Sequence, residues 1–142
     1  MRTFVSHFTA RSYEHDMFGH VNHAVYLNYF EQARFDAFEA AGYPFMQVRD
    51  RGWGVHVVRV EVDYRAEVRL GDRLEIQTRF VDFRRTSMVI EQRCLRRRTD
   101  GDEAVLAAEG TIVAVFVGAN GRPARVPDDV RSKLGAPVVS KA

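Results

Sequence analysis

Residues 16–26 read DMFGHVNHAVY and run from an acidic residue, through a glycine turn, into the start of a long helix. These positions hold one Asp, two His, one Asn and one Gly, the densest set of reactive and turn-forming side chains in the chain. If the protein catalyses a reaction, the reaction is expected here.

The segment that follows is predicted to be one amphipathic helix from about His23 to Ala41, ended by Gly42 and then by Pro44. At about 100° per residue, the helix carries an apolar stripe. The stripe comprises Tyr26, Phe30, Ala33, Ala37 and Ala41. Because its alanines allow a close approach, the helix is expected to lie deep against a sheet.

Strand patterns on both sides of the helix supply that sheet. The predicted strands are Thr3–Arg11, the alternating Val58–Val68, and residues 74–81, 88–95 and 106–117. A short helix is predicted from Pro127 to Leu134. The sequence therefore predicts an α+β fold in which an antiparallel sheet of about five strands wraps one long central helix. The expected single domain covers residues 1–134, with a flexible C-terminal tail at 135–142.

Composition narrows the class of protein. A chain of 142 residues that is 46% hydrophobic suits one compact domain. A net charge of +2, with no basic stripe, argues against a general nucleic-acid binder. Cys94 is the one cysteine, and we interpret it as buried strand filler in a reducing compartment. With no apolar run long enough for a signal peptide or membrane span, a cytoplasmic location is expected.

The predicted sheet has more apolar surface than one helix can cover. Its last strand, residues 106–117, is apolar on both faces, and an uncovered strand edge invites pairing with another chain. Self-association as a dimer or a dimer of dimers is therefore expected.

Three stretches together resemble a known family. The longest is YEHDMFGHVNHAVYLNYFEQAR at residues 13–34, and it is joined by VDY at 62–64 with GDRLEI at 71–76, and by RRTS at 84–87. They resemble the hot-dog-fold acyl-CoA thioesterases of the 4-hydroxybenzoyl-CoA thioesterase type. The similarity runs from the first strand to about Pro127, and it implies hydrolysis of an acyl-CoA thioester to a carboxylic acid and coenzyme A, without a cofactor.

The resemblance implies specific roles within the first stretch. Asp16 would be the catalytic carboxylate, either as a nucleophile or as a general base, and the backbone N–H of His23 would be the oxyanion donor. A helix N-terminus suits that task because its unpaired N–H groups favour negative charge. Gly19 would allow the tight turn between them. The alternative for Asp16 is a purely structural role in capping the loop.

The other polar residues of the loop leave two interpretations each. His20 is expected to orient the loop, whereas the His23 side chain could contact substrate or water. Asn22 either fixes the loop or holds the attacking water. His15, beside Asp16, with His20 and His23 raises the question of a metal site, but no second acidic or cysteine ligand stands at a recognisable metal spacing. No metal is therefore expected.

Candidate substrate contacts lie elsewhere in the chain. The resemblance implies that Arg84, Arg85 and Thr86 lie where relatives bind the phosphates of coenzyme A, which suits guanidinium chemistry. A lysine stands in place of Thr86 in some relatives, and a charged hairpin end without a ligand is the alternative.

Three further side chains are candidates for the acyl site. Tyr26 lies on the apolar helix stripe. Glu31 could be a second carboxylate, but an ion pair with Arg34 three residues on is favoured. His56, with the nearby Trp53, could line an acyl pocket or simply pack in the core.

Two other functions remain open on the sequence. One is a non-catalytic acyl-CoA sensor or carrier-protein partner, which the presence of Asp16 argues against. The other is hydratase or dehydratase chemistry on the same fold, which the His20 and Asn22 pair keeps possible.

Overall fold

The computed structural model describes residues 2–135 and contains a five-stranded antiparallel sheet with one long helix against it. The strands are β1 (Phe4–Thr9), β2 (Gly54–Tyr64), β3 (Arg73–Phe83), β4 (Ser87–Arg97) and β5 (Val105–Val117). The helices are α1 (Val25–Ala40), α2 (Phe45–Asp50) and α3 (Asp128–Leu134), with a 3-10 turn at Ser12–Glu14. The strand order is β1-β3-β4-β5-β2, so β1 and β2 form the two edges. The predicted α+β architecture is confirmed.

Helix α1 packs on β1 and β3 through the predicted apolar stripe. All five stripe residues are buried, and Ala33 and Ala37 are at most 1% exposed, so the helix backbone comes close to the sheet. The inner face of the sheet meets it with fully buried large side chains. They include Ile76, Phe80, Met88, Ile90 and Ile112. Burial of each such side chain contributes roughly 1.5–3 kcal/mol, so this layer is the main source of stability.

A buried amide joins α1 to the middle of the sheet. Gln92 Nε2 donates to the Phe30 carbonyl at 2.9 Å and to Thr78 Oγ1 at 3.0 Å, and Gln92 Oε1 accepts from Arg34 at 2.9 Å. The predicted ion pair between Glu31 and Arg34 is wrong: within residues 2–135, Arg34 has no carboxylate within 4 Å. Its guanidinium turns inward to Gln92 instead, and burial lowers its pKa.

The long second strand differs from its prediction. It runs from Gly54 to Tyr64 rather than over Val58–Val68, and its register against β5 shifts at Val58. It ends where the N–H groups of Arg65 and Ala66 both reach the Ala107 carbonyl, which breaks the ladder. None of its residues is buried in a single copy, because β5 is its only neighbour and its other edge is open.

The remaining expectations concern the cysteine, the tail and the membrane. Cys94 is fully buried on β4, and burial raises the pKa of its thiol to about 12, so its interpretation as strand filler is confirmed. Helix α3 ends at Leu134 and is capped by Gly135, and the rest of the predicted tail lies outside the described residues. Within residues 2–135, no helix has the length and apolar character needed to cross a membrane.

Candidate active site

The loop that carries Asp16 is a closed turn ahead of α1. His15 and Val21 form an isolated antiparallel bridge, and the Asp16 N–H donates to the His20 carbonyl at 2.9 Å. The Gly19 N–H donates to the Asp16 carbonyl at 3.2 Å, with Gly19 at a φ of 81°. An L side chain rarely adopts that conformation, so glycine is required for this turn to close.

The Asp16 carboxylate is half-buried and partly engaged. Its Oδ1 accepts the Phe18 N–H at 2.8 Å, so Asp16 does cap its own turn. Its other oxygen, Oδ2, meets no hydrogen-bond donor among residues 2–135. One oxygen can therefore hold the loop while the second is available to a ligand.

The turn that leads into α1 presents an amide without an acceptor among residues 2–135. Asn22 Oδ1 accepts the Ala24 N–H at 2.9 Å, and the Asn22 carbonyl accepts the Val25 N–H at 2.9 Å. Within the described chain, the His23 N–H between them donates to no protein acceptor. Asn22 thus fixes the loop through its side-chain oxygen, and the helix start keeps one donor for an anion.

Tyr64, at the end of β2, ties this helix start to the sheet edge. Its hydroxyl donates to the His23 carbonyl at 2.7 Å, and its ring meets the His23 ring edge-on with centroids 6.4 Å apart. Tyr26 is buried behind them, 5.2 Å from the Tyr64 ring. Tyr26 is therefore a core side chain beneath the loop.

The three histidines of this region face different partners. His15 Nδ1 lies 2.9 Å from the Arg11 carbonyl, whereas His20 Nε2 lies 2.5 Å from Glu67 Oε2 and His23 lies against Tyr64. The His20 contact pins the loop to the segment that follows β2. In the part of the chain that the structure describes, no three His, Cys, Asp or Glu side chains converge as metal ligands would.

The basic turn between β3 and β4 is held by its backbone. Arg131 donates to the carbonyls of Arg84 at 2.6 Å and Arg85 at 3.3 Å, and the Phe116 N–H donates to the Thr86 carbonyl at 2.7 Å. The Arg84 and Arg85 side chains remain exposed. A fixed turn with exposed guanidinium groups is chemically suited to phosphate.

An apolar cavity of about 330 Å³ lies between α1, α2 and the start of β2. Its aromatic wall consists of Phe35, Phe38, Tyr43, Phe45 and Trp53. Glu31, Arg34 and His56 also line it, so two of the candidate substrate residues, Glu31 and His56, meet in one place. The sequence did not predict α2, whose side chains close one side.

The basic turn lies at the opposite end of β2 from the Asp16 loop in the same copy. The Asp16 loop lies at the Tyr64 end of β2, whereas the cavity and the turn lie at the Gly54 end. An eleven-residue strand spans roughly 35 Å at about 3.3 Å per residue. One copy alone does not bring the predicted catalytic and phosphate-binding residues together.

Comparison with known proteins decides the family. Residues 10–134 match the thioesterase-like superfamily, which is nearly the whole chain. The chain belongs to that superfamily.

Individual relatives agree with the assignment. The chain is 33% identical over 125 residues to the chloroplastic acyl-acyl carrier protein thioesterase ATL2 of Arabidopsis thaliana, covering 88% of the chain and 64% of that protein. It spans less than two thirds of the two Arabidopsis relatives it matches. A crystal structure of a hypothetical protein from Thermus thermophilus is 34% identical, with a TM-score of 0.81 over 92% of this chain and 95% of that one.

This chain also shares its fold with a variant of 4-hydroxybenzoyl CoA thioesterase, which was solved in complex with 4-hydroxybenzoyl CoA. That likeness has a TM-score of 0.86 at 23% identity and covers 95% of this chain and 100% of the other. The predicted hot-dog fold is confirmed.

Proposed function

We propose that the protein is a thioester hydrolase of the 4-hydroxybenzoyl-CoA thioesterase type, which converts an acyl-CoA to a carboxylic acid and coenzyme A. The observation that carries the proposal is the pairing of a half-buried carboxylate, Asp16, with an amide lacking an acceptor among residues 2–135, that of His23, on one short loop. Membership of the thioesterase-like superfamily supports it.

The chemistry follows from those two groups. Asp16 either attacks the thioester carbonyl, giving a mixed anhydride that water then cleaves, or takes a proton from the attacking water. In both routes the carbonyl oxygen becomes negative, and the His23 N–H stabilises it at the N-terminus of α1. The C–S bond breaks, and the coenzyme A thiolate leaves and takes up a proton.

The complete site requires two copies of the chain. Antiparallel pairing of two open β2 edges about a two-fold axis would bring the Gly54 end of one copy beside the Tyr64 end of the other. Asp16 of one copy would then face the cavity and the basic turn of its neighbour. The exposed Val57, Val58 and Val60 on β2, each 41–62% exposed, support burial of this edge.

In that arrangement each part of the substrate has a partner. The cavity, with Glu31 and His56 in its lining, would take the acyl group, and its volume is at the small end of the range for ligand pockets. Arg84, Arg85 and Thr86 would bind the phosphates of coenzyme A. His20 and Gly19 would keep the loop in shape beside them.

The test is a panel of aryl and aliphatic acyl-CoA thioesters assayed for thiol release, run with wild type and Asp16→Asn. We expect release from at least one thioester and a loss of about 10²–10⁴-fold in kcat for Asp16→Asn, with the melting temperature retained. Equal turnover by the two proteins would end the assignment of Asp16. Binding without thiol release would indicate the sensor, and hydration of an enoyl-CoA the hydratase.

A further inference from the structure

A second carboxylate, Glu14, lies two residues before Asp16 and points inward rather than toward solvent. It is 6% exposed, on the 3-10 turn at Ser12–Glu14. Its Oε1 accepts the Arg11 N–H at 2.7 Å, and its Oε2 lies 3.3 Å from the Arg11 guanidinium. A buried carboxylate is costly unless its oxygens are paired, and here both of them are.

The remaining partner of Glu14 comes from α1. The Tyr29 hydroxyl donates to Glu14 Oε1 at 2.8 Å, and the Tyr29 ring is 2% exposed, stacked on Phe8 with centroids 5.5 Å apart. The main chain adds a parallel link, because the Asn22 N–H donates to the Glu14 carbonyl at 2.9 Å. Glu14 therefore joins the acid-bearing loop to α1 through Tyr29 and to the residues just before α1 through Asn22.

The ionisation states of Glu14 and Tyr29 strengthen the hydrogen bond between them. Burial by itself raises the pKa of Glu14, but the hydrogen bonds from Arg11 and Tyr29 outweigh it and hold that pKa below its ordinary value. Burial and the neighbouring carboxylate raise the pKa of Tyr29. At neutral pH an ionised Glu14 therefore accepts from a protonated Tyr29, which makes a charge-assisted hydrogen bond.

The two linked elements are those that carry the reacting groups. Asp16 follows Glu14 by two residues, and Tyr29 lies on the helix that begins two residues after His23. A displacement of about 1 Å between two catalytic groups can lower a rate by about 10²-fold. The buried hydrogen bond between Glu14 and Tyr29 therefore ties the segment that carries Asp16 to this helix.

We propose that Glu14 and Tyr29 form a positioning pair that fixes the Asp16 carboxylate relative to the oxyanion-binding amide of His23. This inference rests on the proposed function. The pair is identified from the contact between the 3-10 turn and α1, and not from sequence similarity to a thioesterase.

The test uses Glu14→Gln and Tyr29→Phe, two variants that keep the shape of each side chain. Glutamine places an amide NH₂ where an oxygen faces the Arg11 guanidinium, and phenylalanine removes only the hydroxyl. For a thioester that wild type hydrolyses, we expect kcat to fall about 10- to 100-fold in either variant and KM to stay within about two-fold. The double variant should be within about two-fold of the worse single one, because both changes break one link.

Asp36→Asn is the matched control. Asp36 lies on α1, and its carboxylate accepts from Ser6 of β1 at 2.8 Å and from Gln32 at 3.0 Å, away from the loop. We expect it to lower the melting temperature as Glu14→Gln does while keeping the wild-type kcat.

Two results would overturn the positioning role while leaving the proposed function intact. One is a lower melting temperature for Glu14→Gln and Tyr29→Phe with kcat unchanged; the other is a change confined to KM. If wild type releases no thiol from any thioester, the proposed function fails and the positioning role fails with it.

Discussion

The two ends of strand β2 are built in different ways. At the Tyr64 end, a short stretch of contiguous sequence supplies the carboxylate, the turn glycine and the helix start, and hydrogen bonds hold them together. At the Gly54 end, the cavity is assembled by packing of α1, α2 and β2, with the basic turn beside it. Under the proposed function, the reacting groups are encoded locally in the sequence, whereas the substrate-binding surface would depend on the tertiary fold and on a second copy.

The strongest test of this difference disables one end of β2 in one variant and the other end in a second variant. Asp16→Asn disables one end, and Val48→Trp, which puts an indole into the cavity from α2, obstructs the other. Each variant alone is expected to lose about 10²-fold or more of wild-type turnover. An equal mixture, after subunit exchange, should regain about a quarter of it, because half of the dimers are mixed and each of these has one intact site.

The control places both changes on one chain and mixes it with wild type. Exchange should then lower the activity from about a half to about a quarter of the wild-type value, because mixed dimers have no intact site. Activity that stays at one half, with no recovery in the first mixture, would mean that each site lies within one chain.

A second prediction concerns the basic turn at the Gly54 end. Replacing Arg84 and Arg85 together by alanine should raise KM for an acyl-CoA by about 10-fold or more, since each charge-assisted bond to phosphate contributes about 1.5–3 kcal/mol. The same variant should hydrolyse an acyl-pantetheine thioester, which lacks the nucleotide, as wild type does. Arg122→Ala, an exposed arginine at the same end of the sheet, is the control. Equal losses on both substrates would argue against phosphate binding by the turn.

The parts of the fold that follow from local periodicity were predictable. The buried stripe of α1 repeats at helical spacing, and β3, β4 and β5 alternate or form long apolar runs, so these elements lie within a few residues of their predicted bounds. The bounds of β2 were not predictable in this way. They depend on its pairing with β5 and on the irregularity at Val58, which is a property of two strands rather than one.

The same distinction applies to the site. Asp16, Gly19 and His23 could be proposed as site residues because the chemistry of a loop leading into a helix is visible in contiguous residues. The partner of Arg34 could not be predicted in this way, because Gln92 lies 58 positions away in the sequence whereas Glu31 lies only three positions away. Glu14 was overlooked for the same reason: only its 2.8 Å contact with Tyr29, fifteen positions on, distinguishes it from a solvated acid.

The smallest predicted effect compares the carboxylate–tyrosine bonds at the two ends. Near the Asp16 loop, the buried Glu14 accepts a hydrogen bond from Tyr29. Beside the cavity, Asp129, which is exposed on α3, accepts one from Tyr43 at 2.5 Å. The pKa of each acid is held below its ordinary value, in Asp129 chiefly by the Tyr43 hydrogen bond. A lowered pKa in the folded state means that the acid stabilises the fold above its unfolded pKa, and that this stability is lost as the pH falls through the folded pKa.

Stability should therefore fall less steeply with acid in Glu14→Gln than in wild type, in a window below the ordinary pKa of 4.5. Asp129→Asn should flatten the dependence of stability on pH less than Glu14→Gln does, because solvent screens an exposed pair. Its effect should also lie at lower pH, because the ordinary pKa of Asp129 is 3.8. Urea unfolding between about pH 3 and pH 6 measures both slopes. If Asp129→Asn flattened the curve as much as Glu14→Gln, the loop end would be no more dependent on a buried charge than the cavity end, and the contrast between them would rest on packing alone.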